Sequence, residues 1–401
     1  MLKKFHIAKI ASSYIVQIAN LSIVLFFSIE EYAHFVVLMT FAGLIFALSS
    51  GVTHGALISL GTRDFLVKDS CNEIVLYRYV FIISSFVIFV IVGSLVNTIT
   101  GYMDGVNLHQ VLMLAFGLIC YEAASQTLYP TSKVKLQAYY ELALAIVLFI
   151  FIFFYVRDSK SYVYGYFTIS TLAFLIAVYG YVASYGSTGL SINSDKVKEF
   201  LRYSSWQFVS VFSIYLLNYG VNFVLIYNKV GDDDISVVNF TLRLFFGMSA
   251  MFALVVILMP KIIGAQEIGK SISKINGIAF KVSLLLSGLY VAAAAVFYYG
   301  LLLLERVEYI PSVMYMLMLL PAFMCMAYVN IMNTFFCNTT IYSRSQLLIA
   351  MQAALLFVLL LFMVKYLGVE GVVISYITSF LMVAFFTYLT FLKNKDSIEK
   401  L

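Results

Sequence analysis

Long apolar runs are the feature that most constrains how this chain can fold. Stretches of about 20 residues with almost no charge recur from one end of the sequence to the other, for example residues 138–156 and 371–392. A helix of that length crosses the roughly 30 Å hydrocarbon layer of a membrane. Of the 401 residues, 63% are hydrophobic and only 11% are charged, whereas soluble domains carry about 25% charged residues. The chain is therefore predicted to be an integral membrane protein.

Twelve membrane-spanning helices are predicted from these runs. They cover residues 9–28, 34–60, 77–98, 109–129, 138–156, 163–184, 204–228, 235–260, 277–303, 312–337, 346–366 and 371–392. The predicted fold is all-α and polytopic, with two pseudo-symmetric six-helix bundles around a central cavity. The first bundle is predicted at residues 1–190 and the second at 204–401, joined by a cytoplasmic linker at 191–203 that belongs to a Ser- and Gly-rich loop from Tyr185 to Tyr203. A weak internal repeat, in which FAGLIFALSSGV at 41–52 aligns with FFGMSAMFALVV at 245–256, supports a duplication.

Basic residues predict the orientation of the chain in the membrane. Most of the 25 Lys and Arg residues fall on the side of the N-terminus, including Arg63, Lys68 and Arg78 before the third span. The opposite side carries only Arg157, Lys160, Lys229, Arg306 and Lys365. Because positive loops stay in the cytoplasm, both termini are predicted to be cytoplasmic. The remaining basic residue, Arg243, lies inside a predicted span and belongs to neither surface.

Arg243 is the charged residue that needs a specific explanation. At 100° per residue it shares one face of the eighth span with small and polar residues, among them Asn239 and Gly247. Such a stripe is expected to face protein or a water-filled cavity. Two interpretations are open: the guanidinium extends toward the outer surface or pairs internally, or it contacts an anionic substrate. A diphosphate would suit it, since two parallel N–H donors can bind its oxygens.

The sequence around Arg243 resembles a known transporter family. Gly231, Asn239, the pair Arg243–Leu244 and the pair Pro260–Lys261 are similar in type and spacing to the polysaccharide-transport branch of the multidrug, oligosaccharidyl-lipid and polysaccharide exporter superfamily. The segment KYLGVEGVVISYITSFLMVAFFTYLTFLK at 365–393 resembles the entry into that family's last span. In size and span number the chain is most similar to the bacterial O-antigen flippases of the Wzx type.

This resemblance implies a function, a location and partners. Flippases of this type move undecaprenyl-pyrophosphate-linked oligosaccharide units across the bacterial inner membrane, so a lipid-linked oligosaccharide is the implied substrate. Membrane lipids, a polysaccharide polymerase and chain-length proteins are the implied partners, and no nucleic acid is expected. Many relatives carry an acidic residue in the middle of span seven, whereas this chain has Asn218 and Asn222 there. The resemblance therefore implies no ion-coupling role for span seven of this chain.

Further polar side chains inside the spans are candidates for the cavity wall. The amides of Gln207, Asn218 and Asn222 lie on one side of span seven, and Gln17 and Asn20 lie on span one. Amides can bind sugar hydroxyls or simply one another across helices.

The chain also has two predicted intramembrane carboxylates and one histidine. Glu122 in span four is predicted to be proton-linked or to pair internally with Arg243 or a hydroxyl. Glu141, assigned to the first turn of span five, and His54, near the inner end of span two, are interpreted as structural or interfacial.

Other function classes have weaker support in the sequence. Cys71, Cys120, Cys325 and Cys337 show no paired spacing, and no phosphate-binding loop or metal-ligand spacing is present, so no metal, cofactor or enzymatic activity is predicted. A multidrug or cation antiporter of the same superfamily is the main alternative. It is disfavoured because the first span offers amides and a hydroxyl but no carboxylate. A membrane polymerase or ligase is disfavoured because no outer loop is long.

Overall fold

The computed structural model describes residues 4–100, 107–186, 193–248, 268–337 and 342–398. These residues form helices and the short turns that join them. The helices are α1 Lys4–Ser22, α2 Ile29–Ser49, α3 His54–Lys68, α4 Asn72–Thr100, α5 Leu108–Gln126, α6 Val134–Tyr155, α7 Ser159–Tyr185, α8 Ser194–Tyr227, α9 Asp232–Gly247, α10 Ile268–Leu303, α11 Ile310–Met318, α12 Leu320–Cys337 and α13 Tyr342–Ile398.

Local sequence signals explain where several helices begin and end. Ser28 caps α2, because its hydroxyl accepts a hydrogen bond of 3.2 Å from the amide of Glu31. Asp158 and Ser161 form a reciprocal capping box at the start of α7. Gly186 follows the end of α7 with a φ of +70°, a left-handed conformation that glycine adopts without strain.

The backbone contacts divide the chain into two compact units. Unit 1 is Met1–Tyr215 and unit 2 is Leu216–Leu401, so the division falls inside α8. The linker was predicted at 191–203, but residues 194–203 form the first turns of α8. The best-packed helix pairs of unit 1 are α5 with α7, α1 with α6 and α2 with α5. In unit 2, α9 packs against α11, and α12 packs against both α10 and α13.

Each unit has an apolar core of large side chains. In unit 1, Tyr77 and Phe200 are buried with residues of α3 at one end of the helices. In unit 2, the buried ring of Phe245 contacts Tyr290, Phe323 and Phe380, with centroid distances of 6.3, 6.1 and 5.7 Å. Phe245 lies two residues after Arg243, so its packing helps to position this part of α9.

The prediction of an all-helical, polytopic membrane protein is confirmed. In the described part of the chain, nine helices are long and apolar enough to cross a membrane, or ten if the bent pair Val307–Met318 and Leu320–Asn333 forms one span. The stretch Leu347–Lys393 contains the predicted spans eleven and twelve, which are separated where Gly368 leaves helical geometry with a φ of +57°. α9 covers the first part of predicted span eight, whose remainder lies in the undescribed residues 249–267.

Two predicted spans differ from the structure in detail. Span two was predicted at 34–60, but the chain forms α2, a short 3₁₀ turn at Gly51–Thr53 and then α3, which continues to Lys68. Span ten was predicted as one helix at 312–337, but it is bent by 56° between α11 and α12. Pro321 explains the bend, since proline cannot donate a backbone hydrogen bond and its ring disfavours helical geometry just before it.

Candidate functional site

A hydrogen-bonded polar row in unit 2 contains Arg243 and two of the predicted amides. Arg243 Nε donates to Asn239 Oδ1 at 3.0 Å, one turn earlier on α9. Asn239 Nδ2 in turn donates to Asn222 Oδ1 on α8 at 3.3 Å. Asn239 and Asn222 are buried, with 4% and 0% of their surface exposed, whereas Arg243 is half-buried. Asn239 therefore orients the guanidinium of Arg243, and Asn222 in turn positions Asn239.

The sequence explains why this row forms. Asn239 and Arg243 are four residues apart, so their side chains lie on the same face of α9. Asn222 is on α8. Asn218 lies one turn before it on the same helix, where its side chain is half-buried and also interacts with a neighbouring residue. The turn at residues 228–231 brings the end of α8 next to the start of α9. The prediction that Arg243 belongs to a polar face rather than to a lipid-exposed one is consistent with these contacts.

A second polar cluster in unit 1 surrounds Glu122. Arg78 Nη2 donates to Glu122 Oε2 in a direct ion pair. Ser50 Oγ donates to the same oxygen at 2.5 Å, and His54 Nδ1 lies 3.2 Å from the other oxygen, Oε1. Arg78 also donates through Nε to Thr53 Oγ1 at 3.2 Å. The Arg78 side chain is 1% exposed and that of Glu122 is 13% exposed, so the ion pair is buried.

The turn between α2 and α3 assembles this cluster. The 3₁₀ turn at Gly51–Thr53 places Ser50, Thr53 and His54 side by side. Thr53 Oγ1 donates to the Ser50 carbonyl at 2.7 Å, which holds the turn closed. Glu122 comes from α5 and Arg78 from α4, so three segments of unit 1 contribute to one network. Such a network is stable only because nearly every polar atom in it finds a partner.

The partner of Glu122 corrects two sequence-based interpretations. Glu122 was predicted to be proton-linked or to pair internally with Arg243 or a hydroxyl. Ser50 is its hydroxyl partner, its cationic partner is Arg78 rather than Arg243, and the proton-linked role stays a prediction. Arg78 was assigned to the cytoplasmic loop charge, but it is almost fully buried. Arg78 was the residue that sequence reasoning missed. The available signal was Glu122 itself, because a carboxylate inside a predicted span requires a cationic partner, and Arg78 is a basic residue within another predicted span.

His54 and Glu141 are also placed by the structure. His54, interpreted as packed or interfacial, is 44% exposed and contacts Glu122. Glu141 was assigned to the first turn of its helix, but α6 begins at Val134 and Glu141 is buried two turns further on. Its carboxylate interacts electrostatically with Lys9, whose Nζ lies 3.9 Å from the centre of the Tyr129 ring. Glu141 therefore lies beyond the first turn, because α6 begins at Val134 and not at residue 138 as predicted.

The remaining predicted cavity residues are spread over unit 1. Gln207 on α8 accepts a hydrogen bond of 2.8 Å from the backbone amide of Gly55. Asn20 on α1 accepts a long hydrogen bond of 3.5 Å from the Tyr162 hydroxyl. Gln17, also on α1, is half-buried. The structure thus groups Gln207 with the α2–α3 turn, whereas Asn20 and Gln17 lie on α1.

The helical fold of the chain is similar to that of solved multi-helix membrane transporters. No protein-family model and no curated protein sequence matches the chain. Solved structures do match it along its whole length, and they are transporters of the MOP superfamily. The chain therefore has the fold of these transporters.

Three solved structures illustrate the similarity. An inward-facing multidrug resistance MATE family transporter has a TM-score of 0.71 and 15% identity, covering 100% of this chain and 96% of that one. The outward-facing conformation of such a transporter has a TM-score of 0.57 and 13% identity, covering 98% and 95%. A MOP superfamily transporter from Pyrococcus furiosus, for which reverse polarity of the binding pocket suggests a different function, has a TM-score of 0.54 and 14% identity, covering 98% and 95%.

Proposed function

We propose that the protein is an inner-membrane transporter that moves an undecaprenyl-pyrophosphate-linked oligosaccharide across the membrane by alternating access. The observation that supports this most directly is the row of Arg243, Asn239 and Asn222. A permanently charged, planar guanidinium held by an amide is suited to a diphosphate, because its N–H groups can donate in parallel to two oxygens. Amides beside it can bind the hydroxyl groups of a sugar.

The arrangement of charge in unit 1 also favours an anionic substrate over a cationic drug. A cation-binding site needs a carboxylate whose charge is left for the ligand. Glu122 instead receives hydrogen bonds from Arg78 and Ser50 and contacts His54. Glu141 interacts with Lys9. Glu122 is thus paired with a cation of the chain itself, whereas Glu141 has a weaker electrostatic interaction with Lys9.

A multidrug antiporter is the second candidate, and one observation favours it. Two of the similar solved structures are multidrug resistance transporters, and they share the fold over nearly the full chain. Under this alternative, Glu122 and His54 would exchange protons while a cationic drug binds elsewhere. The two candidates differ in what Arg243 should do, since a cationic drug gains nothing from a nearby guanidinium.

The test is complementation of a strain that lacks the gene, with surface polysaccharide measured on gels and protein level by immunoblot. Arg243→Ala should reduce display strongly, since a charge-assisted hydrogen bond is worth about 1.5–3 kcal/mol, or roughly a 10- to 100-fold change. Arg243→Lys should restore part of the display, because it keeps the charge but loses the paired donors. The control is Arg306→Ala, which removes an arginine of unit 2 that pairs with Glu308 at 3.1 Å.

A further variant keeps Arg243 in its position but neutralises its charge. Asn239→Asp has almost the same shape and can still hold the guanidinium, but it places a negative charge beside it. We expect loss of display with normal protein level, because the ion pair competes with the substrate anion. Full display in Arg243→Ala, or a loss of ethidium efflux with intact display, would contradict the proposed function and favour the antiporter.

A further inference from the structure

Tyr376 on α13 joins the two helices of unit 2 that carry the polar row of Arg243. The residue is fully buried, with 0% of its surface exposed. Its hydroxyl donates a hydrogen bond of 2.6 Å to the backbone carbonyl of Leu217 on α8. Its ring meets the rings of Phe245 and Phe246 on α9 edge to face, at centroid distances of 6.4 and 6.1 Å. One side chain therefore contacts both α8 and α9.

These contacts lie at the level of Arg243. Asn239 on α9 donates a hydrogen bond to Asn222 on α8, and the short turn between the two helices reverses the chain. In helices that run in opposite directions, a residue one turn earlier on α8 is level with a residue one turn later on α9. Asn218 is therefore level with Arg243, and Tyr376 holds the backbone of α8 at the residue next to Asn218.

The hydrogen bond between Asn239 and Asn222 is sensitive to the position of α8. Its length of 3.3 Å is already above the usual range of about 2.7–3.2 Å, so a shift of a few tenths of an ångström would break it. Asn239 is also the residue that holds Arg243 Nε, at 3.0 Å. The orientation of the guanidinium therefore depends, through the two amides, on where α8 is held.

The hydroxyl of Tyr376 differs from its neighbours on α13 in what it fixes. Ser375 donates to the Gly371 carbonyl at 2.6 Å and Ser379 to the Tyr376 carbonyl at 3.0 Å, so these two buried hydroxyls bond their own helix. Tyr376 instead bonds another helix. A phenylalanine would fill the same apolar space without a polar atom that needs a partner. The hydroxyl therefore adds a fixed distance between α13 and α8 rather than additional apolar packing.

We propose that Tyr376 is a positioning residue for the anion site at Arg243, an inference that rests on the proposed function. It holds α8 where Asn222, through Asn239, orients the guanidinium for a diphosphate. Without the hydroxyl, Arg243 keeps its charge but is no longer held in one orientation before the anion arrives. Binding then has to order this side chain, which weakens affinity by roughly 2- to 12-fold.

The test compares Tyr376→Phe with a matched control, Tyr290→Phe. Tyr290 on α10 is also 0% exposed, and its ring contacts Phe245 at a centroid distance of 6.3 Å. Its hydroxyl donates to a backbone carbonyl as well, that of Met316 at 2.8 Å, but this acceptor lies on α11 and not on α8. Each substitution removes one buried hydroxyl and keeps the ring, so both should lower the unfolding temperature by similar amounts.

Affinity for a diphosphate separates the two variants. The full-length protein in detergent is titrated calorimetrically with farnesyl diphosphate, a short probe that carries a diphosphate on an isoprenoid chain. Tyr376→Phe should raise the dissociation constant roughly 2- to 12-fold, whereas Tyr290→Phe should leave it unchanged. In an Asn222→Ala background, Tyr376→Phe should cause no further loss of affinity, because its effect passes through Asn222. A general loss of stability would not produce this dependence on Asn222.

The outcomes separate this inference from the proposed function. If Arg243→Ala weakens binding of the probe but Tyr376→Phe binds it as tightly as Tyr290→Phe, Tyr376 has no positioning role and only this inference fails. The same conclusion follows if the losses from Tyr376→Phe and Asn222→Ala add in full. If the unaltered protein does not bind the probe, or if Arg243→Ala binds it equally well, the proposed function itself fails and this inference fails with it.

Discussion

Breaking the buried ion pair of Arg78 and Glu122 should destabilise unit 1 far more than breaking an exposed pair. Arg78→Met removes the cation and leaves the Glu122 carboxylate with Ser50 and His54 as its remaining partners. Glu122→Gln keeps the shape of the carboxylate but leaves the guanidinium of Arg78, which is 1% exposed, without a counter-charge. Removal of one member of a buried pair typically costs about 3–5 kcal/mol.

This cost can be measured as a shift in thermal unfolding of the detergent-solubilised protein. For a folding unit of about 150–250 residues, 1 kcal/mol corresponds to about 2–4 °C, so each single variant should unfold roughly 6–20 °C earlier. Scans must use one heating rate, because membrane proteins often unfold irreversibly. Arg63→Met is the control: Arg63 and Glu199 form two hydrogen bonds of 2.7 Å, but their side chains are 52% and 43% exposed. Exposed pairs contribute about 0.2–1 kcal/mol.

The double variant Arg78→Met with Glu122→Gln completes the cycle. It removes both charges, so no uncompensated ion remains and most of the lost stability should return. Thr53 keeps its hydrogen bond to the Ser50 carbonyl in this background. The reasoning is refuted if the single variants unfold at the temperature of Arg63→Met, or if the double variant loses as much as the two single variants added together.

Two further changes test local features of unit 1. Asp158→Ala removes the capping box of α7 and should cost about 0.5–2 kcal/mol at neutral pH. Hydrogen bonds from the backbone and side chain of Ser161 lower the pKa of Asp158 below its usual 3.8. This stabilisation is therefore present above that value and lost as the pH falls through the lowered pKa. Unfolding temperatures of the two proteins should converge in acid, and a constant gap down to pH about 2 would contradict the assignment. Gly55→Ala should lower the unfolding temperature, because its Cβ would collide with the Gln207 amide and displace the hydrogen bond that Gly55 donates. The control is Gly93→Ala on α4, where an added Cβ meets no other atom, so the unfolding temperature should stay unchanged or rise. If the two alanine variants have equal effects, a collision between the Gly55→Ala methyl group and Gln207 is excluded.

The fold was largely predictable from the sequence, because apolar length is a strong signal in a membrane protein. The last two spans were predicted at 346–366 and 371–392, and Gly368 leaves helical geometry in the gap between them. Bends inside apolar segments were harder to predict. Span ten reads as one continuous apolar helix, and only Pro321 indicates the bend. The 3₁₀ turn at Gly51–Thr53 has no proline, and hydropathy alone gives no sign of it.

The candidate site was only partly predictable. Arg243 and Asn239 are four residues apart on one helix, so helical periodicity alone placed them together. The partner of Glu122 depends on how α4 packs against α2 and α5, which is not encoded in local spacing. Arg78 lies near the start of a span, and a basic residue there normally marks the membrane surface.

The buried ion pair has a consequence for how the protein is made. Arg78 and Glu122 belong to α4 and α5, which are consecutive in the chain and joined by a short connection. A charged residue at the centre of an isolated helix opposes insertion by about 2.5–3.5 kcal/mol, and the cost is smaller nearer a helix end, where Arg78 and Glu122 lie. If the two helices leave the translocon together as a hairpin, each charge enters the lipid already neutralised by the other. The partner that stabilises the folded unit would then also assist its biogenesis, and a ribosome that stalls before α5 would leave α4 with an uncompensated arginine.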